Sequence, residues 1–302
     1  MSFGSRFLTS PELFPARIAG ETWGHESVSL DLPGGPYLID GVTVAQRAAI
    51  VDRYGDLAGH ESGGMAAALQ VFRAPDSDFL EIDTRGWEYW LDYDAGEHAV
   101  SIAGMRLMAR IELSPARAAI WTSGSDPEEL WGIVENILRP FVALRLLQTG
   151  GLLVHSAAVA LDGRGLLFAG PSGAGKSTIA RLALANAHPV LSDDLNALVP
   201  DGDGFRLLPM PFTGDLELSD VARDSAPLKA LLRLEKGGHE SLLPLSIGEA
   251  VSLLVRSAPY VNQDHYRMPL LLERAAAVAS AVPRGVLTFR RDADVWPILR
   301  SL

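Results

Sequence analysis

Residues 166–178 read LLFAGPSGAGKST, and the fold is decided there. Leu166, Leu167, Phe168 and Ala169 form an apolar run of strand length. Gly170, Gly175, Lys176 and Ser177 then satisfy the spacing G-x-x-x-x-G-K-[ST]. Ile179, Leu182 and Ala183 follow at helical spacing. A strand, a glycine-rich turn and a helix in that order make a cradle for phosphate. Glycines let successive backbone N–H groups point inward, and the helix aims its positive end at the same place. The candidate nucleotide-binding set is therefore Gly170, Pro171, Ser172, Gly173, Ala174, Gly175, Lys176, Ser177 and Thr178. In such a loop Lys176 would reach the β- and γ-phosphates and Ser177 would bind magnesium, so ATP and Mg2+ are the implied cofactors.

Working outward, Val190-Leu191-Ser192 reads as a strand that ends on the pair Asp193-Asp194. An acidic residue at such a strand end orients magnesium or its water. Two adjacent carboxylates allow one to hold the metal and the other to accept a proton from an attacking hydroxyl; taken alone, such a pair also serves to cap a turn or helix. His155, on the strand expected over 152–161, is by itself a satisfied core histidine or a site residue. Glu217, at the end of the polar stretch 211–217, which reads as a mobile loop, is a surface glutamate or an extra magnesium ligand. Arg223, Arg233 and Lys236 could neutralise charge, and no spacing rule chooses among them.

Further out the texture changes twice. The first 30 residues carry no strong pattern, a short helix is expected over 42–56, and 60–66 reads as a loop. Strands are expected over 79–83, 87–93, 98–102, 106–113 and 117–122, with turns at Arg85-Gly86, 94–97, Gly104 and Ser114-Pro115. That is a β-meander. At Asp126, an N-cap followed by Pro127, Glu128 and Glu129, a long helix begins, bent at Pro140 and ended by Gly150-Gly151. The expected division is a mainly β domain over 1–125, with substrate recognition as its role, and an α/β domain over 126–302. Within the latter, a turn at 162–165 and a helix over 176–187 are expected. Ser246 and Glu249 form a capping box for a helix to Arg256. A further helix over 264–281, a strand over 285–290 and a short final helix complete it.

The whole-chain numbers exclude several function classes. With 302 residues, 48% hydrophobic and 21% charged, the chain can bury two cores. Its 26 Lys+Arg against 37 Asp+Glu leave a net charge of −11, the wrong sign for a non-specific nucleic-acid or anionic-membrane partner. There is no cysteine, which removes disulfides, zinc–thiolate sites and a thiol nucleophile and fits a cytoplasmic location. No apolar run reaches 18 residues and no signal peptide is expected in the first 15.

The run His155-Ser-Ala-Ala-Val, the loop 170–177 and Leu191-Ser-Asp193-Asp194 together resemble the catalytic core of the HPr kinase/phosphorylase family. The nucleotide site of that family is similar to that of phosphoenolpyruvate carboxykinases. The resemblance is closest over 150–200. It implies an α/β, P-loop kinase core of the HPr kinase C-terminal domain type. It further implies Asp193 as general base, Asp194 as magnesium ligand and His155 near the phosphates. The family's acidic residue followed by an Arg-Gly-Leu-Gly-type run is absent; 211–217 occupies its place, with Glu217 as the counterpart of the acid. The chain looks more like the divergent kinases of this superfamily, some of which phosphorylate a serine of a peptide and some a small hydroxylated molecule. Homo-oligomers occur among such kinases.

The leading expectation is thus a kinase that moves the ATP γ-phosphoryl group to a hydroxyl-bearing acceptor. A small-metabolite kinase and a non-catalytic nucleotide-binding regulator are the alternatives. No N-K-x-D segment supports a GTPase and no L-S-G-G-Q-like run supports an ABC-type ATPase; D-x-x-G at 201–204 reads as a plain turn.

Overall fold

The computed structural model describes residues 2–59, 67–83, 90–212, 214–216, 220–292 and 294–302. The loop expected over 60–66, the Arg85-Gly86 turn, the start of the strand expected over 87–93, and Glu217 lie outside them. The chain forms a mixed α/β structure with two multi-stranded sheets and divides into two compact units, 1–145 and 146–302.

The first unit holds β1 (Glu26–Leu30), β2 (Tyr37–Val42), α1 (Val44–Tyr54), β3 (Ala67–Arg73), β4 (Leu91–Ala95), β5 (Ala99–Gly104), β6 (Leu107–Leu113) and β7 (Ala116–Thr122). The strand order is β1-β2-β3-β7-β6-β5-β4. β4 to β7 are the expected antiparallel meander, but β3 runs parallel to both β2 and β7. The sequence predicts no strand before residue 79, so β1 to β3 are new. Conversely, the strand expected over 79–83 is not formed. Phe79 makes a single bridge with Leu8, and Phe79 and Ile82 pack on the cluster around Phe7, Leu8, Phe72 and Trp121. Their alternation records that packing, not a ladder. α1 opens with a capping box in which Thr43 Oγ1 accepts from the Gln46 amide and Gln46 Oε1 accepts from the Thr43 amide.

The long helix α2 (Pro127–Gln148) starts where expected, the Asp126 carboxylate accepting from the Glu128 and Glu129 amides. Its packing differs from the expected boundary near residue 125, because most of it belongs to the first unit. Glu135 pairs with Arg53 at 3.0 Å, the Phe141 ring meets Tyr37 edge-on at 5.5 Å, and Arg145 donates to the Gly34 carbonyl. The division accordingly falls at Arg145/Leu146.

The second unit contains β8 (Leu152–Leu161), β9 (Arg164–Ala169), α3 (Lys176–Ala185), β10 (Val190–Ser192), β11 (Leu195–Asp201), β12 (Gly204–Pro209), β13 (Ala226–Lys236), β14 (Ser241–Pro244), α4 (Ile247–Arg256), α5 (Met268–Ala281), β15 (Arg284–Phe289) and α6 (Trp296–Arg300). β8 and β9 form a hairpin closed by Asp162 and Gly163, both at positive φ. β10 and β11 follow one another along the opposite edge of β8, with Ser192 level with Ala158 and Leu195 level with His155. β13 runs parallel to β9 on one side and to β15 on the other. β12 joins β11 to the start of β13, so the pairings β8-β9-β13-β12-β11-β8 form a closed circuit. β11 to β14 were not foreseen; the turn at 201–204 is the tip of the β11–β12 hairpin. The helix expected from 264 begins at Met268 because Asp264 instead accepts from the Tyr266 and Arg267 amides. β8, β9, β13 and β15 share an apolar cluster with α3 and α6, built on Phe168, Ile179, Ala183, Leu232, Trp296 and Leu299. Among the described residues no helix is long and apolar enough to cross a membrane.

These burials set the scale of two stability effects. Phe168 is fully buried, and Phe168→Ala should cost about 3–5 kcal/mol. Thr43→Ala, which removes only a cap, should cost about 1 kcal/mol. Urea titration of both variants should return that ranking; equal losses would contradict it.

Candidate functional site

Because β9, β13 and β15 are parallel, their carboxyl ends lie along one edge of the sheet. The turn leaving β9 at Gly170 lies there, beside Leu234 of β13. Gly173 and Gly175 have φ of +75° and +118°, backbone states that other residues adopt at a cost. A Cβ on Gly173 would meet nothing within 4 Å, so this part of the loop faces open space. A Cβ on Gly175 would lie 2.9 Å from Cζ of Phe289, so the end of β15 packs directly beneath the loop. α3 starts at the next residue, Lys176.

A cavity of about 830 Å³ opens over this loop. Ser172 to Thr178, His155, Asp193, Asp194, Gly214 and Asp215 line it, together with Lys236, Gly237, Phe289, Arg290 and Arg291. Lys176 is nearly buried, and its Nζ donates to the carbonyls of Gly170 at 3.2 Å and Pro171 at 3.4 Å. Burial holds its pKa below the ordinary lysine value, with the Asp194 carboxylate acting the other way.

The two aspartates have different partners. Asp193 is buried; its Oδ1 accepts from the Gly214 amide at 3.3 Å and its Oδ2 from the Asp215 amide at 2.9 Å. Asp194 places Oδ1 3.3 Å from Nε2 of His155. Its amide donates to Ser192 Oγ and its carbonyl accepts from the Ser156 amide, which keeps the pair in line with β8. His155 is the exposed residue in an otherwise buried stretch of β8, its side chain 47% exposed. That departs from the core-histidine alternative. Burial and the neighbouring Lys176 depress its pKa, opposed by Asp194 and Asp193.

The described part of 211–217 is not the free polar loop expected from sequence. Phe212 is fully buried and Leu216 nearly so, while Gly214 and Asp215 bond Asp193. A Cβ on Gly214 would lie 3.0 Å from that of Asp194, so a glycine suits this approach. Of the three cations named from sequence, only Lys236 lines the cavity. Arg233 is paired with Glu235 and Glu249, and Arg223 is not among the lining residues. Arg290 and Arg291 were missed. Arg290 ends the strand expected over 285–290 and Arg291 follows it, but only the parallel pairing to β13 brings that end to the loop.

The family model of SynChlorMet cassette protein ScmC matches residues 122–291. That is more than half of the chain. The chain belongs to the ScmC family. The matched span holds β8 to β15 and every residue lining the cavity, ending at Arg291. No curated protein matches the chain. The solved structure of the Hpr(Ser) kinase/phosphatase from Coxiella burnetii aligns with 50% of this chain and 87% of that one, at 12% identity and a TM-score of 0.30. A likeness of that degree decides neither fold nor activity.

The His155 environment has a pH consequence. Its pKa in the folded chain lies below the ordinary 6.5, so the unfolded chain binds the proton more readily. The penalty is absent well above pH 6.5 and grows as the pH falls below it, until the folded-state pKa is passed. His155→Gln should flatten the loss of stability on acidification below pH 6.5, read by urea midpoints. An unchanged slope would remove His155 as its source.

Proposed function

We propose that the chain is a Mg2+-dependent phosphotransferase with a P-loop core of the HPr kinase type. It moves the γ-phosphoryl group of ATP to a hydroxyl, with a seryl side chain of a peptide or protein as acceptor. One observation carries the reading. The glycine loop, Lys176, Ser177 and both aspartates face one cavity.

The residues fit a nucleotide and its metal. The open face at Gly173 and the start of α3 present backbone N–H groups to an anion. Among the described residues no three carboxylate or histidine side chains converge into a self-standing metal cage. A nucleotide-bound Mg2+ needs only one or two protein oxygens beside the phosphates. Ser177 and Asp194 would provide them. Bound Mg-ATP would supply the reactive phosphoryl group and neutralise its charge.

The remaining chemistry belongs to this chain's side chains. Lys176 would exchange two neutral carbonyl partners for phosphate oxygens, a stronger, charge-assisted bond. Asp193 would take the proton of the acceptor hydroxyl on a carboxylate lone pair that its two amide bonds leave free. His155 would hold Asp194 in orientation through the 3.3 Å contact.

Asp193→Asn separates binding from transfer. It should bind ADP as the parent chain does and lose transfer by about 10²–10⁴-fold, the usual worth of a positioned base. The assay is ADP release with seryl peptides and with small alcohols, followed by mass spectrometry of the acceptor. Full transfer by Asp193→Asn would remove the base assignment. Transfer to small alcohols alone would make the chain a metabolite kinase. ADP binding without turnover on any acceptor would make it a nucleotide-dependent regulator.

A further inference from the structure

The cavity is electrically polar, and the polarity follows from strand order. Across the sheet the order is β10-β8-β9-β13-β15, and the glycine loop leaves the middle strand. Asp193, Asp194 and His155 lie on the β8/β10 side of it. Lys236 ends β13, and Arg290 and Arg291 follow the end of β15, on the other side. Lys236 is level with Phe289, the residue that packs beneath Gly175. The basic end therefore stands beside the loop.

The three cations are not equivalent. Arg290 donates to Glu240 at 2.9 Å and is neutralised there. Among the described residues no ion pair or hydrogen bond engages the Lys236 or Arg291 side chain, although both line the cavity of a chain with a net charge of −11. Two exposed cations without an acidic partner, facing the same cavity as an anion-binding loop, form a second place for negative charge.

We propose that the phosphoryl donor lies across the site in one direction. Its reacting end points to Asp193, and its inner phosphates and nucleoside point to Lys236 and Arg291. The acceptor enters from the β8/β10 side. This rests on the phosphotransferase reading, since it is the position of the base that orients the donor. A triphosphate held by the loop with its terminal phosphoryl at the carboxylates must lead the rest of its charge away from them. The way away from them along the strand ends runs over β13 and β15. Lys236 and Arg291 then bind non-bridging oxygens of the α- and β-phosphates, a class of contact common to ATP and ADP.

Titration of Mg-ADP and Mg-ATP into the full chain tests this, with the parent, Lys236→Met, Arg291→Gln and Lys176→Met compared. Each of the first two variants should weaken ADP and ATP by the same factor, about tenfold for one charge-assisted bond. Saturating ATP should restore their kcat to within about twofold of the parent, the mark of a group that binds ground and transition states alike. Unchanged ADP affinity in both variants overturns the inference. So does a loss confined to ATP with a fall in kcat, which would put the cations at the transferring phosphoryl group. If Lys176→Met abolishes ADP binding while Lys236→Met and Arg291→Gln bind normally, the inference fails and the phosphotransferase reading stands. If the parent chain binds no nucleotide, both fall.

Discussion

The chain leaving β9 has to turn back on itself within six residues and enter α3. It does so through two glycines at positive φ, one of them lying against the Phe289 ring at the end of β15. This contact couples local backbone chemistry to sheet topology. The loop keeps its shape because Gly175 has no side chain, and it keeps its place because a parallel strand two positions away ends beneath it. The cavity, the burial of Lys176 and the position of Arg290 and Arg291 depend on that arrangement. The match to the ScmC family covers all of these elements.

On the other side of the loop the controlling constraint is continuity along β8. β10 and β11 share one edge of that strand, and Asp193-Asp194 occupy the joint between them. Adjacent residues in an extended chain tend to face opposite ways, and the two carboxylates have accordingly found different partners. Asp193 is buried under the amides of Gly214 and Asp215; Asp194 meets His155. Negative charge is thereby concentrated on the β8/β10 side of the loop, while Lys236 and Arg291 line the same cavity from the ends of β13 and β15. A cavity so divided distinguishes the two ends of an elongated anion, which a uniformly basic pocket would not.

Much of the second unit was legible because its signals are local. The β8–β9 hairpin, the glycine loop, α3, β10 and the Ser246–Glu249 capping box each announce themselves within about a dozen residues. β11 to β14 were not legible: β11 opens on, and β13 is centred on, a run buried on both faces that gives no period, while β12 and β14 are short strands with almost no buried face. In the first unit the meander was read and β3 was not, since its parallel pairing with β2 and β7 leaves no turn to mark it; β1 and β2 are an antiparallel pair joined through Pro33-Gly34-Gly35-Pro36, a turn signal that two short strands left without a clear alternation beside it. Residues 79–83 misled for the opposite reason. Alternation there arises from packing on a core cluster with no partner strand.

The same distinction separates the parts of the site. Amino-acid order alone determined the loop, its lysine and serine, and the aspartate pair, because each depends on neighbours in the chain and on backbone freedom that only certain residues allow. Tertiary structure decided that His155 faces the cavity, that Gly214 and Asp215 hold Asp193, and that Lys236 and Arg291 join the loop while Arg233 is paired elsewhere. The physical reason is that these residues are brought together by strand pairing between segments distant in sequence. Which face a strand shows, and beside which neighbour it ends, is settled only when the whole sheet is assembled.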